Sequence, residues 1–177
     1  MSGKSLLIIY MGTGKGKTTA ALGLASRFMG SKRKICICQF IKSDKDTGEY
    51  KFFDSVGELA EIHLFGKGFV FESTSEKDRK KHCEIFYNGL NFIREKIRSG
   101  KYGLIIADEI LDVLSLGFFK VKDIVNLREL LPEGSHLVLT GRTAPNELIN
   151  LADTVTEMKE IKHHFKKGVQ ALRGIEY

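Results

Sequence analysis

A glycine-rich loop that joins an apolar run to a helical pattern constrains the fold more than any other feature of this sequence. Residues 5–10 (SLLIIY) form a short continuous apolar run, which is typical of a strand buried on both faces of a parallel sheet. The loop GTGKGKTT follows at residues 12–19. Ala21 and Ala25 then recur at helical spacing, and Gly30 stands where a helix would end. The sequence therefore predicts a strand, a loop and a helix in that order.

This strand, loop and helix form the context in which a glycine-rich loop binds phosphate groups. Glycines allow backbone N–H groups to surround an anion, the start of the helix adds a favourable potential, and Lys17 supplies a mobile positive charge. The hydroxyl of Thr18 can then coordinate Mg²⁺. We predict that the phosphate groups are bound by the whole loop, which comprises Gly12, Thr13, Gly14, Lys15, Gly16, Lys17, Thr18 and Thr19.

The loop departs at one position from the general phosphate-binding pattern G-x-x-x-x-G-K-[S/T]. Met11 stands where that pattern has its first glycine, and we expect Gly12 and Gly14 to compensate. The alternative interpretation is a glycine-rich turn followed by a basic helix start, with no ligand.

An apolar run that ends in two acids supplies the expected partner of the loop. Residues 104–107 (LIIA) are followed by Asp108 and Glu109. Carboxyl ends of parallel strands meet at one edge of a sheet, where ligands bind. We therefore predict a metal site made by Thr18, Asp108 and Glu109, in which one carboxylate contacts Mg²⁺ directly or through water. Taken alone, this pattern fits an Asp that caps a helix equally well.

The remaining patterns indicate an α/β fold with a mainly parallel central sheet flanked by helices. Apolar runs at residues 34–40, 61–65 and 136–140 predict further strands, and apolar side chains spaced by three or four residues predict helices at 83–97 and 124–131. The polar stretch 42–49 is interpreted as a loop. The segment 154–177 is interpreted as one or two further strands with a basic loop at 163–167. Strands that alternate with helices in this way are typical of a parallel sheet.

Composition narrows the class of protein further. The chain has 177 residues without an internal repeat or a Gly/Ser/Pro linker, so we predict a single nucleotide-binding domain over 1–177. No apolar run approaches the roughly 20 residues that span a bilayer, and we predict a cytoplasmic protein that does not contact membranes. The three cysteines form no C-x-x-C pair and are interpreted as reduced core thiols. The net charge of +6 fits an anionic ligand or an ordinary solvated surface.

The sequence carries further motifs in a fixed order along nearly its whole length, and this ordered set is more specific than the loop alone. The motifs are GTGKGKTTAALG at 12–23, QFIK at 39–42, GE at 48–49, GKGFVFES at 66–73, ADE at 107–109, LTGR at 139–142, ELINLADTVTEM at 147–158, KHHFKKGV at 162–169 and GIEY at 174–177. This set resembles the ATP:corrinoid adenosyltransferases, a family of RecA-like P-loop type.

The resemblance implies transfer of the 5′-deoxyadenosyl group of ATP to the cobalt(I) of a corrinoid, with Mg²⁺ present and with release of triphosphate. In this family the nucleotide is reversed relative to ordinary P-loop ATPases, so Lys15, Lys17 and Thr18 would hold the leaving group. Lys17, Thr18 and Glu109 would be the catalytic residues. Arg27 is similar in position to a family residue that contacts the nucleotide, and a surface arginine is the open alternative. Partners implied are an electron-donating reductase and a second copy of the chain in a homodimer.

The segment 68–72 (GFVFE) resembles the family motif G-F-T-W-E, whose aromatic side chains pack beneath the corrin ring. Phe69 and Phe71 carry that role by the resemblance, and Phe71 stands where Trp is usual in a chain without any Trp. The alternative is that the two aromatic side chains pack one face of a strand.

Two other functions remain open at this point. A RecA-like ATPase or nucleic-acid-binding module would hydrolyse the γ-phosphate and bind a polyanion, but no basic run interleaved with aromatic residues is present, and nucleic acid is not expected. A corrinoid carrier that has the fold without efficient transfer is the other alternative. Arg142, at the end of a predicted strand, faces a ligand or forms a structural ion pair, and His163 and His164 have no assigned role.

Overall fold

The computed structural model describes residues 3–68 and 74–177, in which six strands alternate with helices. The elements follow the predicted order closely. In chain order they are β1 Leu7–Met11, α1 Lys17–Met29, β2 Ile35–Phe40, α2 Gly48–Ser55, β3 Ala60–Phe65, α3 Glu76–Arg98, β4 Leu104–Asp108, α4 Ile110–Ser115, α5 Val121–Glu129, β5 His136–Gly141, α6 Asn146–Leu151 and β6 Thr154–Glu157, with short 3₁₀ helices at Gly57–Leu59 and His164–Lys167.

The strands form one parallel sheet in the order β3-β2-β4-β5-β1-β6. β5 lies between β1 and β4, with Leu7 opposite Leu137 on one side and Leu104 opposite His136 on the other. Because the strands are parallel, the loop after β1 and the acids after β4 meet at the same edge of the sheet. This topology confirms the predicted α/β class.

Helices cover both faces of the sheet. On one face, Ala21 and Ala25 of α1 and Phe53 of α2 pack on buried strand residues such as Ile37. On the other face, α3, α4, α5 and α6 pack on Cys36, Cys38 and Phe40 of β2 and their neighbours. Every residue of β2 and β4 is buried, and apart from Gln39 and Asp108 near their carboxyl ends both strands are apolar, as expected for a sheet covered on both sides.

The predicted strands are confirmed to within about two residues, whereas three short helices were not anticipated. α2 begins inside the polar stretch that was interpreted as a loop, because the Thr47 hydroxyl accepts a hydrogen bond from the Tyr50 N–H and Phe53 is buried. α4 and α6, each of six residues, are too short to give a clear helical period. In the segment 154–177, β6 is the one strand, and the basic loop forms a 3₁₀ turn.

All three cysteines lie in or against the hydrophobic core. Cys36 and Cys38 are buried and Cys83 is partly buried on α3, and all three are free thiols. Within the described ranges, no helix is both long and apolar enough to cross a bilayer.

Candidate active site

The loop between β1 and α1 is anchored by the ends of two neighbouring strands. The Gly12 N–H donates to the Arg142 carbonyl after β5 at 3.0 Å, and the Gly14 N–H donates to the Met158 carbonyl after β6 at 2.7 Å. Met11 is the last residue of β1, so the turn begins one position later than in the general pattern. Gly12 makes this turn with φ +118°, a conformation that side chains disfavour. Gly12 thus takes the place in the turn that the general pattern gives to the residue at position 11.

Replacing Gly14 with alanine is expected to destabilise the folded protein, because its new Cβ would lie 2.7 Å from the Met158 carbonyl oxygen. We expect the free energy of unfolding to fall by about 1–3 kcal/mol, as for other overpacked sites. Gly23→Ala on α1 is the matched control, since a Cβ there meets no atom of the described residues within 4 Å. That variant should gain about 0.5–1 kcal/mol. Urea unfolding of both variants checks the result, and equal effects would contradict the close approach.

The start of α1 is tied to the end of β4 through a buried carboxylate. The Thr18 hydroxyl donates to Asp108 Oδ1 at 2.9 Å, and the Thr140 hydroxyl of the intervening β5 donates to the same atom at 2.7 Å. Gln39 Nε2 donates to Asp108 Oδ2 at 3.0 Å, and Asp108 is fully buried. Lys17 Nζ donates to the Gly14 carbonyl at 2.8 Å, so its ammonium lies over the loop.

Glu109 adopts a left-handed backbone conformation with φ +62° directly before α4. Its N–H donates to the Thr140 hydroxyl at 2.8 Å, while its buried Oε2 has no hydrogen-bond partner among the described residues. Burial, reinforced by the adjacent Asp108 carboxylate, raises the pKa of Glu109 to about 8. A strained, partly buried acid with an unpaired oxygen costs stability, which is typical of a group that is held for a ligand.

Replacing Glu109 with glutamine is expected to stabilise the free protein increasingly as pH rises. Its pKa is raised from 4.5 to about 8 in the folded protein. Between these pH values the unfolded chain loses the Glu109 proton while the folded protein keeps it, so the wild-type free energy of unfolding declines as pH rises. Glutamine keeps the shape without the charge. We expect the variant to exceed wild type by at least about 1 kcal/mol at pH 8 and by little at pH 5. Urea unfolding at several pH values without ligand checks this, and a difference independent of pH would contradict it.

Further charged groups of both signs surround these residues. Lys42 Nζ contacts Glu49 Oε1 at 2.8 Å and Asp108 Oδ2 at 3.8 Å. Burial alone would lower the pKa of Lys42, but Asp108 and Glu49 outweigh it and raise that pKa. Burial lowers the pKa of Lys17, with Asp112 opposing this effect. Lys42 therefore keeps its positive charge beside the buried Asp108.

Asp112 and Arg142 complete this set of charges. The Arg142 N–H donates to Asp112 Oδ1 at 2.9 Å, which joins the end of β5 to α4. Burial raises the pKa of Asp112, although Arg142 opposes the shift. The site thus holds acidic and basic side chains close together. Basic groups can bind a phosphate chain, and acidic groups can bind the divalent cation that accompanies it.

These groups open into a cavity of about 700 Å³, within the range of about 300–1,000 Å³ that small-molecule sites occupy. The loop and α1 line one side, and α2, the strand ends and the segment 174–177 line the other. The lining residues are Lys15, Gly16, Lys17, Thr18, Thr19, Leu22, Gly23, Ser26, Lys42, Gly48, Glu49, Phe52, Phe53, Glu109, Asp112, Thr140, Arg142, His163, Gly174, Ile175, Glu176 and Tyr177.

The structure brings most of the candidate residues together. Lys15, Gly16, Lys17, Thr18 and Thr19 of the loop line the cavity with Glu109, and Asp108 lies directly behind Thr18. Gly12 and Gly14 are buried in the turn, and Thr13 is exposed. Arg27 is exposed on α1 and is not among the described residues that line the cavity, so its contact with a nucleotide stays a prediction. Phe69 and Phe71 lie outside the described residues.

Several residues of the site were not singled out from the sequence. Gln39 and Lys42 belong to the motif QFIK, and Glu176 belongs to GIEY, so the motifs marked their segments without giving them a role. Asp112 follows Glu109 by three residues, and the first turn of α4, which begins right after Glu109, places both acids at the cavity. The placement of both acids at the cavity depends on α4, a helix that is too short to predict from the sequence.

The parallel sheet, the anchored glycine loop and the carboxylate behind Thr18 define this chain as a P-loop nucleotide-binding protein. A KaiC-like protein of Pyrococcus horikoshii has a similar solved structure, with a TM-score of 0.53 and 15% sequence identity over 92% of this chain and 75% of that one. This similarity concerns the fold alone and agrees with the RecA-like type.

The chain belongs to the ATP:corrinoid adenosyltransferase BtuR/CobO/CobP family, whose sequence model matches residues 3–177. It is 33% identical over 174 residues to the corrinoid adenosyltransferase of Pseudomonas aeruginosa, covering 98% of this chain and 84% of that one. The Sinorhizobium enzyme of the same name is 35% identical over 98% of this chain and 81% of its own length. The corrinoid adenosyltransferase CobA of Salmonella typhimurium is 28% identical over 98% and 86%. The family resemblance is thereby confirmed.

Proposed function

We propose that this protein transfers the 5′-deoxyadenosyl group of ATP to the cobalt(I) of a corrinoid. The observation that carries the proposal is the phosphate-binding loop beside Asp108 and Glu109 in a chain that matches the adenosyltransferase family over residues 3–177. The family assignment favours transfer over γ-phosphate hydrolysis or nucleic-acid binding. The chain spans one domain over 1–177 in this proposal, and both substrates meet at its cavity.

The reaction needs little proton chemistry from the protein. The electron pair of cobalt(I) forms the bond to C5′, and the C5′–O bond breaks so that its own bonding pair leaves on the triphosphate oxygen, while the metal becomes formally cobalt(III). The substrate itself is the nucleophile, so the protein must orient C5′ and stabilise the charge that accumulates on the departing oxygen. A cavity with several cations and backbone N–H groups at the loop suits this task.

Lys17 and the loop residues Gly12 to Thr19 are proposed to hold the triphosphate. The Lys17 ammonium already lies over the loop on the Gly14 carbonyl, and it can turn from that acceptor to a phosphate oxygen. Lys15 and Arg142 add positive charge at the rim of the same cavity. Lys42 is held by Glu49 and Asp108 instead, which supports a role in fixing the buried Asp108.

Thr18, Asp108 and Glu109 are proposed to hold Mg²⁺ on the triphosphate. The donor set fits the ion, because Mg²⁺ prefers hard oxygen ligands and the buried Glu109 Oε2 lacks a partner among the described residues. The Thr18 hydroxyl donates its hydrogen bond to Asp108, which leaves the lone pairs of the hydroxyl oxygen free for a cation. Bound there, the ion would neutralise part of the charge on the leaving group.

Phe69 and Phe71 are proposed to form the apolar wall beneath the corrin ring, on the strength of the match to the family motif at residues 68–72. An apolar wall that excludes water and a lower axial ligand would ease reduction of cobalt(II) to cobalt(I). Arg27 is proposed as a nucleotide contact on the same basis of family position.

The reaction implies further partners. Cobalt(I) requires an electron, so we propose an electron-donating reductase as a partner and a cytoplasmic location for both. A homodimer is proposed from the family resemblance, with support from the exposed apolar side chains of Ile161, Phe165 and Ile175.

An anaerobic assay with ATP, Mg²⁺ and chemically reduced cobalamin tests the proposed function. We expect cobalt(I) absorbance to disappear only when both ATP and Mg²⁺ are present, with adenosylcobalamin as the product. Binding of the corrinoid without adenosylation at catalytic turnover would instead support a carrier. Release of ADP and phosphate without alkylation would make the protein an ATPase.

A further inference from the structure

The segment 172–177 folds back onto the phosphate-binding loop and occupies one side of the cavity. Lys15 Nζ donates to the Ile175 carbonyl oxygen at 2.8 Å and forms an ion pair with Glu176 Oε1. Gly174 to Tyr177 line the same cavity as Lys17 and Thr18. A loop lysine is thus bound by an anion of the protein itself.

The Glu176 carboxylate is held in this position by its own segment. Its Oε2 accepts a hydrogen bond from the Leu172 N–H at 2.8 Å, and its Oε1 lies 3.2 Å from His164 Nε2. The Glu176 N–H donates to the Leu172 carbonyl at 2.9 Å, which closes the turn. Lys15 lowers the pKa of Glu176, so the group is a carboxylate at neutral pH. The turn therefore presents a fixed negative charge to the loop.

A fixed carboxylate at this place opposes a bound triphosphate in two ways. It neutralises the Lys15 ammonium, which is one of two lysines in the loop, and it repels the phosphate oxygens directly. Triphosphate keeps its full charge after the adenosyl group has left, so the cations that stabilise the leaving group also retain the product. A group that competes for those cations would speed product release, which is the slow step in many enzymes.

We propose that Glu176 is a positioning residue that competes with triphosphate for Lys15 and so speeds release of the product. This inference rests on the proposed role of the loop as the triphosphate site. Lys15 changes partner between Glu176 in the free protein and a phosphate oxygen in the complex. The exchange weakens binding of ATP and triphosphate alike, and its benefit appears in turnover.

Glu176→Gln tests the competition with little disturbance of the turn, because the glutamine side-chain oxygen can still accept from the Leu172 N–H. Binding of inorganic tripolyphosphate with Mg²⁺, measured by calorimetry, should become about 3- to 10-fold tighter than in wild type. In steady-state turnover the KM for ATP and kcat should both fall, and tripolyphosphate should inhibit more strongly. A purely structural role would not move KM and kcat in this direction.

Lys15→Met provides the second arm of the experiment. Glu176→Gln introduced into Lys15→Met should tighten tripolyphosphate binding clearly less than Glu176→Gln alone, since the cation for which the two anions compete is gone and only the direct repulsion is relieved. Equal or weaker tripolyphosphate binding by Glu176→Gln alone would overturn the proposed competition while leaving the loop as a phosphate site. Failure of wild type and all three variants to bind tripolyphosphate would overturn the phosphate role of the loop itself, and the competition with it.

Discussion

Replacing Lys17 with alanine is expected to lower the rate of adenosyl transfer by about 10²- to 10³-fold, the usual effect of removing a group that stabilises developing charge. The Lys17 ammonium contacts only the Gly14 carbonyl among the hydrogen-bond acceptors described, so the fold should change little. Single-turnover assays with preformed cobalt(I) separate this chemical step from reduction and from product release.

Lys101→Ala is the matched control for Lys17. Lys101 is an exposed lysine that precedes β4, at the opposite edge of the sheet from the cavity. The Lys101→Ala substitution removes the same charge and side chain at a distance from the site, and the transfer rate of this variant should equal that of wild type. Wild-type activity in Lys17→Ala would refute the role of the loop in holding the leaving group.

Replacing Asp108 with asparagine is expected to remove the effect of Mg²⁺ on the reaction while keeping the fold. Thr18 and Thr140 can still donate to the asparagine oxygen. The new amide can donate to Gln39, whose Oε1 has no partner among the described residues, once the Gln39 amide rotates. Loss of the buried charge should lower the Mg²⁺-dependent transfer rate by about 10²-fold or more.

A second measurement separates loss of metal from loss of nucleotide. ATP affinity without Mg²⁺ should be unchanged or higher in Asp108→Asn, because a negative charge near the triphosphate has been removed. Asp54→Asn, on the exposed side of α2, is the control for the change of residue type. Lower ATP affinity without Mg²⁺ in Asp108→Asn, or full Mg²⁺ dependence, would contradict the proposed metal site.

The parts of the site that follow from local patterns were predictable from the sequence. The strand before the loop, the helix after it and the acids at the end of β4 each depend on residues close together in the chain. Parallel strands then force Thr18 and Asp108, 90 positions apart, to the same edge of the sheet. This is why a metal site could be predicted without knowing the strand order.

The contacts that were missed depend on where distant segments pack. The Thr140 hydroxyl donates to the same Asp108 oxygen as Thr18 only because β5 lies between β1 and β4. The pair between Lys15 and Glu176 joins residues 161 positions apart, through a turn that lacks a strand or helix period. The left-handed conformation of Glu109 likewise follows from its tertiary contacts, since a glutamate has no local preference for it.

Phosphorus NMR of the phosphate products distinguishes adenosyl transfer from hydrolysis, because it reports which bond of ATP breaks. Cobalt(I) corrinoid, Mg²⁺ and limiting ATP are mixed anaerobically with the protein, and the spectrum is recorded after one turnover. We predict the resonances of intact inorganic triphosphate in an amount equal to the adenosylated corrinoid. ADP with orthophosphate would contradict adenosyl transfer, since it would mean cleavage at the γ-phosphate and an ordinary ATPase.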